Sequence, residues 1–399
     1  MSPLNVFYSA DPVTPVSVGQ LAMHRGRIYF EYDAAFLQSG LELSPFRLPL
    51  KPGAVAAEPM PWQGLFGLFN DSLPDGWGLL LMDRHLRSLG VDSRYLTPLD
   101  RLAYMGNRCM GALTYEPATE LGDVVSRIDL AAMAASAIEV YEGHASEMLP
   151  RLARAGSSPA GARPKVLVHL RDEQMLSGED EPSAGFTPWI VKFFSGREHS
   201  DTGRIEYAYS LMAREAGIPM PETRLFECGG KAWFGIRRFD REAGKRVHMH
   251  TLGGLVDADF RLPSLDYIDQ LKVTRALTRN AADVQRAFTL MVFNVLAHNR
   301  DDHSKNFSFL MDERGEWRLA PAFDLTCSAG INGEHTTAVA GEGRNPGEAH
   351  LLKVGEAVGL KHQRMHETIE RVRDAIEQWP QWCEQAGISS SEHPFPPLP

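Results

Sequence analysis

The periodicity of this chain changes once, near residue 252, and that change limits what it can fold into. Before it, residues 165–170, 188–194, 223–227 and 232–239 are short runs rich in Val, Ile, Phe and Trp, and they read as strands. One helix, 205–216, lies among them and ends at Gly217, a residue suited to the position after a helix. After residue 252 the apolar residues fall at helical spacing. Phe288, Met291, Val292, Val295 and Leu296 lie on one face, and Met365, Ile369, Val372 and Ile376 repeat the pattern. The expectation is an α+β fold, a β-rich part followed by a helical one.

The first 117 residues read as a further unit. Residues 16–21 and 27–32 are β-rich and are split by His24-Arg25-Gly26, which is hairpin grammar. A helical pattern over 65–89 is interrupted by Leu73-Pro74-Asp75-Gly76, a turn. Residues 122–152 are helical again, 171–184 read as a polar hairpin connection, and the Pro-rich tail 389–399 as frayed. The expected divisions are 1–117, 118–251 and 252–399.

Composition excludes several classes. With 399 residues, 43% apolar and 23% charged, the chain can bury a large core, so a disordered, collagenous or disulfide-scaffold protein is ruled out. A net charge of −10 makes unaided DNA binding weak. The four cysteines (Cys109, Cys228, Cys327, Cys383) form no CxxC pair, which argues against structural zinc and fits a reducing compartment. There is no signal-peptide pattern and no apolar run of the ~18 residues a membrane span needs. A cytoplasmic protein with no membrane partner is expected.

The most informative window is His298-Asn299-Arg300-Asp301-Asp302-His303-Ser304-Lys305-Asn306-Phe307, which begins where an apolar helix ends. Asp324 follows 18 residues after Asn306, with a hairpin between. Phosphoryl transfer needs such a set: one carboxylate to take the hydroxyl proton, and an amide oxygen with a second carboxylate for Mg²⁺. Protein kinases space Asp and Asn as Asp301 and Asn306 are spaced. An Asx-rich loop capping a helix accounts for this window equally well. A metal site of His298, Asp301, Asp302 and His303 is disfavoured, because adjacent loop residues rarely converge on one ion; His303 reads as a hydrogen-bonding loop residue.

The other half of such a site is a lysine on a strand and a phosphate-cradling loop. Lys192 shares a strand face with Ile190 and Phe194, and is either an edge gatekeeper or a cation in a cleft. The stretch from Gly156 to Gly161 is either a flexible linker or a source of backbone N–H groups for phosphate; it is neither GxGxxG nor a Walker A sequence. Glu206 reads as a first-turn glutamate favoured by its helix dipole, with pairing to Lys192 as the alternative.

Six windows in order resemble the HipA-like serine/threonine kinase toxins of bacterial type II toxin–antitoxin systems. Phe69-Asn70-Asp71-Ser72-Leu73-Pro74-Asp75-Gly76-Trp77-Gly78 looks like the N-terminal signature, and Ser158-Pro159-Ala160-Gly161-Ala162-Arg163-Pro164-Lys165 like the Gly-rich loop. Ile190-Val191-Lys192-Phe193 resembles the nucleotide-lysine strand, and Arg237-Arg238-Phe239-Asp240-Arg241 the lobe-connecting segment. The window from Asn299 to Phe307 resembles the catalytic loop, and Ala320-Pro321-Ala322-Phe323-Asp324 the metal-binding segment.

The resemblance implies a protein-kinase-like bilobal fold: a HipA N-terminal subdomain (1–117), an N-lobe (118–251) and an all-α C-lobe (252–399). It implies Asp301 as catalytic base, Asn306 and Asp324 as Mg²⁺ ligands, and Lys192 on the phosphates of ATP. Ala160, Gly161, Ala162, Arg163, Pro164 and Lys165 would close over the phosphates. His303, Ser304, Lys305, Asn306 and Phe323 would line the nucleotide site, and Arg237, Arg238 and Phe239 would meet adenine through their backbone. Ser158, or its neighbour Ser157, matches the serine whose autophosphorylation inactivates such kinases. Asp301 is preferred to Asp302 on its spacing to Asn306. The implied partners are a HipB-like helix-turn-helix antitoxin, operator DNA reached through it, and a protein substrate such as an aminoacyl-tRNA synthetase. The rival readings are a small-molecule phosphotransferase of the aminoglycoside- or choline-kinase type, and a non-catalytic corepressor that scaffolds the antitoxin.

Overall fold

A computed structural model describes residues 3–119, 128–156, 161–178, 181–194, 201–228 and 230–388. The chain divides into two compact units. One comprises residues 1–203, 224–250 and 311–315; the other comprises 204–223, 251–310 and 316–399.

The first unit holds two five-stranded sheets. The first is built from β1 (Leu4–Tyr8), β2 (Val16–His24), β3 (Arg27–Tyr32), β4 (Val55–Ala56) and β5 (Leu113–Glu116), in the order β4-β3-β2-β1-β5. The expected hairpin is β2 and β3, antiparallel with His24 opposite Arg27. Arg25 and Gly26 at its tip both take positive φ, 49° and 76°. Alternation in β1 puts Leu4, Val6 and Tyr8 inside.

The second sheet is built from β6 (Lys165–Arg171), β7 (Gln174–Ser177), β8 (Thr187–Lys192), β9 (Thr223–Cys228) and β10 (Lys231–Arg237), in the order β7-β6-β8-β10-β9. The polar stretch after residue 171 is therefore not only a connection: it contributes β7, whose four residues pair with β6. As an edge strand, with no residue of its four fully buried, it carries no apolar signal. Val166, Val168, Trp189 and Val191 share one face and pack with Trp77, Leu81, Ala137 and Leu152. Those partners lie on the helices Gly76–Ser88, Leu130–Glu142 and Leu149–Gly156.

The second unit is mainly helical, so the α+β order expected from the sequence is the one observed. Its core gathers Phe288, Met291, Val292 and Val295 of the helix Ala281–Leu296 with Met365, Ile369 and Val372 of the helix His362–Glu377. Asn280 caps the first of these by accepting from the Ala282 N–H at 2.9 Å. The helix Thr202–Glu215 begins earlier than expected, which moves Glu206 out of the first turn; it is buried, not solvated as a dipole-favoured glutamate would be. The strands Ser308–Met311 and Trp317–Leu319 are neighbours in a small sheet, with the turn at 312–315 between them. Among the described residues no helix is long and apolar enough to cross a membrane.

Candidate active site

In the first unit, the sheet settles the position of Lys192. β8 is the central strand of five, so Lys192 is no edge gatekeeper. Across the antiparallel ladder its direct partner is Lys165, and on the other side it is Phe234. Directly opposed residues share a sheet face, so the two lysines stand side by side, away from the core face of Val166 and Val191. Lys165 is 4% exposed, and the Lys192 Nζ lies 5.6 Å from the Phe234 ring centroid.

Gly161, Ala162, Arg163 and Pro164 lead into Lys165. Gly161 takes φ +108°, a conformation that needs glycine. The Phe193 N–H donates to the Pro164 carbonyl at 2.7 Å, which extends the β6–β8 ladder by one step. Ser157, Ser158 and Ala160 lie outside the described residues.

The segment after β10 carries Arg237, Arg238 and Phe239. Arg237 is exposed and opposite Trp189. The Arg238 N–H donates to the Pro188 carbonyl at 2.9 Å, so that donor is engaged within the sheet. Its guanidinium donates to both oxygens of Asp240, at 2.9 and 2.7 Å. Arg241 reaches the same carboxylate at 2.8 Å, and the Gly111 N–H donates to it at 2.8 Å. Burial pushes the Asp240 carboxyl up, but Arg238 and Arg241 outweigh it and hold the group well below the carboxylate range.

In the second unit, the window after the helix Ala281–Leu296 starts at His298 with φ +50°. Asp301 is exposed, whereas Asp302 is 1% exposed and saturated. Its Oδ2 accepts from the Tyr267 hydroxyl at 2.8 Å and faces the His335 Nδ1 at 2.9 Å. Its Oδ1 accepts from the Thr336 and Thr337 N–H groups at 2.8 and 3.3 Å. Burial, then the Asp302 charge, keeps the Tyr267 hydroxyl protonated, as a donor must be. Behind it the Asn299 amide donates to Asn294, and the Asn294 amide to the Tyr267 oxygen, each at 2.9 Å. The two adjacent aspartates thus divide: one fixes the loop and the other faces solvent.

The Asn306 amide nitrogen donates to the Asp301 carbonyl at 2.8 Å, which turns its oxygen the other way. Ser304 donates to the Ala258 carbonyl at 3.0 Å. Lys305 is buried, with its Nζ 4.7 Å from the Phe260 ring centroid. The His303 ring lies 5.5 Å from the same ring. Its carbonyl accepts from the Asn306 N–H at 2.9 Å, while its buried Nδ1 has no hydrogen-bond partner among the described residues. Phe323 is half-buried, and Asp324 sits at φ +57°, sparsely populated for a residue with a side chain.

These donors fit a magnesium ion. Mg²⁺ takes hard oxygen ligands and is commonly held by one or two protein groups plus substrate phosphates and water. An oriented amide oxygen and a carboxylate meet that need. Among the described residues there is no group of three or more His, Cys, Asp or Glu placed for a metal, and a site of this kind does not require one. The roles of Tyr267 and His335 were not legible in the sequence, because their contacts to the loop span 35 and 33 residues, and Asn294 joins them through a bond to Tyr267 27 residues away.

Comparison with known proteins supplies the family context. A model of the HipA N-terminal domain matches residues 7–116, and one of the HipA-like C-terminal domain matches residues 157–379. Relatives described as "Putative kinase" include two from different bacteria. One, Y4dM of Sinorhizobium fredii, is 30% identical over 167 residues, covering 38% of this chain and 40% of that protein. The other, of Haemophilus influenzae, is 23% identical over 185 residues, covering 43% and 52%. The chain thus spans about half or less of the length of each. A chain in the complex of the Shewanella oneidensis MR-1 toxin–antitoxin system HipA, HipB and its operator DNA has the same fold. Its TM-score is 0.69 at 19% identity, over 99% of this chain and 92% of that one.

Proposed function

This chain belongs to the HipA family, and on that premise we propose that it is a Mg²⁺-ATP-dependent kinase acting on protein serine or threonine. The observation that carries the reading is the Lys165–Lys192 pair. Opposed on one face of the central strand, they place two ammonium groups side by side, where the oxygens of a polyanion such as a triphosphate can take hydrogen bonds from both.

The residues take separate parts. Lys165 and Lys192 bind and orient phosphate oxygens, with Gly161 to Pro164 above them. The backbone of Arg237 and Phe239 offers contacts for adenine, while the Arg238 N–H is engaged by Pro188. His303, Ser304, Lys305, Asn306 and Phe323 line the nucleotide, and the orphaned His303 Nδ1 is available to it. Asn306 and Asp324 would hold Mg²⁺, which supplies charge neutralisation on the phosphates. Asp301 accepts the proton of the attacking hydroxyl, and Asp302 holds the loop that presents it.

In this reading the chain is the cytoplasmic toxin of a HipBA-like module. It would pair with a HipB-like antitoxin, reach operator DNA through it, and phosphorylate a translation protein such as an aminoacyl-tRNA synthetase. Phosphate on Ser158 or Ser157 would add about −1.5 to −2 charge to a phosphate-binding loop and switch it off.

The test is intact mass and peptide mapping after incubation with Mg²⁺-ATP, beside Asp301→Asn. Phosphate on Ser158 or Ser157 in the parent and none in the variant is expected. A chain that transfers phosphate neither to itself nor to any protein would overturn the reading in favour of a non-catalytic corepressor. Transfer to aminoglycosides or choline alone would favour a small-molecule phosphotransferase.

A further inference from the structure

We infer that Asp75 is the positioning residue for the phosphate end of the nucleotide site, an inference that rests on the kinase reading. Asp75 stands at the N-cap of the helix Gly76–Ser88, with φ −127° and ψ 177°, yet its carboxylate makes no capping bond to that helix. It accepts instead from the Gly161 N–H at 2.5 Å, 86 residues along the chain. Asp75 is 7% exposed, so this is a carboxylate withdrawn from water and committed to a loop of another segment.

The neighbouring residues make the same attachment. The Trp77 N–H donates to the Gly161 carbonyl at 3.0 Å, so Gly161 is held at both its backbone groups. The fully buried Trp77 indole donates to the Lys165 carbonyl at 2.9 Å. Gly76 has φ +44°, and a Cβ there would lie 2.7 Å from the Gly161 oxygen and 2.8 Å from the Ala162 Cα. Gly156 docks on the same helix: a Cβ on it would lie 2.7 Å from the Leu81 Cδ1 and 2.9 Å from the Trp77 Nε1. Gly156 and Gly161 therefore rest on the first two turns of one helix.

The consequence reaches the cations. A Cβ on Gly161 would lie 2.4 Å from the Lys165 Nζ, so the Lys165 ammonium lies against the Gly161 backbone. Lys165 is the cross-strand partner of Lys192. Asp75 fixes Gly161, Gly161 confines the Lys165 head group, and Lys165 with Lys192 forms the anion-binding pair. Asp75 itself touches no nucleotide in this arrangement. Its loss should weaken binding of the phosphates and leave binding of the nucleoside alone.

The experiment measures the Kd of ATP and of adenosine by calorimetry on the full chain, for the parent, Asp75→Ala, Asp75→Asn and Lys192→Ala. A charge-assisted hydrogen bond is worth enough that its removal should weaken ATP about tenfold in Asp75→Ala. Adenosine should bind all four alike. Asp75→Asn keeps an acceptor for the Gly161 N–H and should stay within about threefold of the parent, fold-changes of about that size following from the loss of charge alone. If Asp75→Ala does not fold, Asp75→Glu keeps the charge but misplaces the carboxylate, and the same selective loss of ATP is expected. Parent-like ATP affinity in the Ala or Glu variant would overturn the inference, as would an equal loss of ATP and adenosine. A parent chain that binds no ATP, or a Lys192→Ala variant that binds it undiminished, would instead strike at the kinase reading beneath it.

Discussion

Replacing Asp302 should cost stability, and replacing Asp301 should cost activity. Asp302 accepts from two side chains through Oδ2 and from two backbone N–H groups through Oδ1; the donors are buried except for Thr336, which is partly so. Each buried donor left unpaired costs about 1–3 kcal/mol. The four share one carboxylate and are not additive, so the loss on Asp302→Ala is set at about 3–5 kcal/mol, below their sum. For a unit of this size that lowers the melting temperature by about 10 °C. Asp302→Asn keeps Oδ1 for Thr336 and Thr337 but turns an amide towards Tyr267 and His335, so a smaller loss of about 1–2 kcal/mol is expected. Asp301→Asn touches none of these bonds; its melting temperature should stay within about 2 °C of the parent while phosphoryl transfer falls by about 10² or more. Circular-dichroism melts beside transfer of labelled phosphate from ATP make the comparison. An Asp302→Ala protein that melts like the parent, or an Asp301→Asn protein that melts about 10 °C lower, would refute the division of roles.

Other perturbations follow from the same geometry. Gly76→Ala forces a Cβ into Gly161 and Ala162 at a positive φ, and should cost about 2 kcal/mol or more; Gly90→Ala, at φ +80° with no atom within 4 Å, should cost only its backbone strain of about 1 kcal/mol, as urea midpoints would show. Lys192→Met should weaken ATP at least about tenfold and leave adenosine unchanged, read by calorimetry. Burial depresses His169 and His248 from 6.5 to about 4. The unfolded chain takes up protons below pH 6.5 while the folded chain does not until about 4, so stability is intact above 6.5 and is lost as pH falls from 6.5 to 4. Each histidine withdraws on the order of 3 kcal/mol by the bottom of that range, and His248→Gln, which retains a donor for the Leu43 carbonyl, should flatten the pH dependence of the urea midpoint.

The elements with strong periodicity were legible in the sequence because local pattern determines them. The β2–β3 hairpin, the helix Ala281–Leu296 and the strand bearing Lys192 all lie where alternation or helical spacing puts them. β7 was not legible, since a short edge strand needs no apolar face. Spacing alone leaves Asp301 and Asp302 nearly equivalent, because what separates them is burial under Tyr267 and His335, 35 and 33 residues away. Glu206 looked like a solvated helix-start residue because its burial depends on how the helix packs. Asp75 read as part of a turn, and nothing local reveals that its carboxylate is used 86 residues downstream.

The Asp240 cluster bears on how this chain can be cut. Asp240 is held by Arg238 and Arg241, accepts from the Gly111 N–H, and Arg241 in turn donates to the Gly111 and Cys109 carbonyls at 3.0 and 3.1 Å. Residue 111 falls in the segment matched by the N-terminal family model and residue 240 in that matched by the C-terminal one. Severing the chain between the two models would strand buried charges on one side and bare carbonyls on the other. Fragments beginning after residue 117 should aggregate, and a chimaera that borrows its first 116 residues from a cousin should fold only if that cousin offers the same carbonyls to the same arginine. The two models name two domains, but the ions that join them make one inheritable unit.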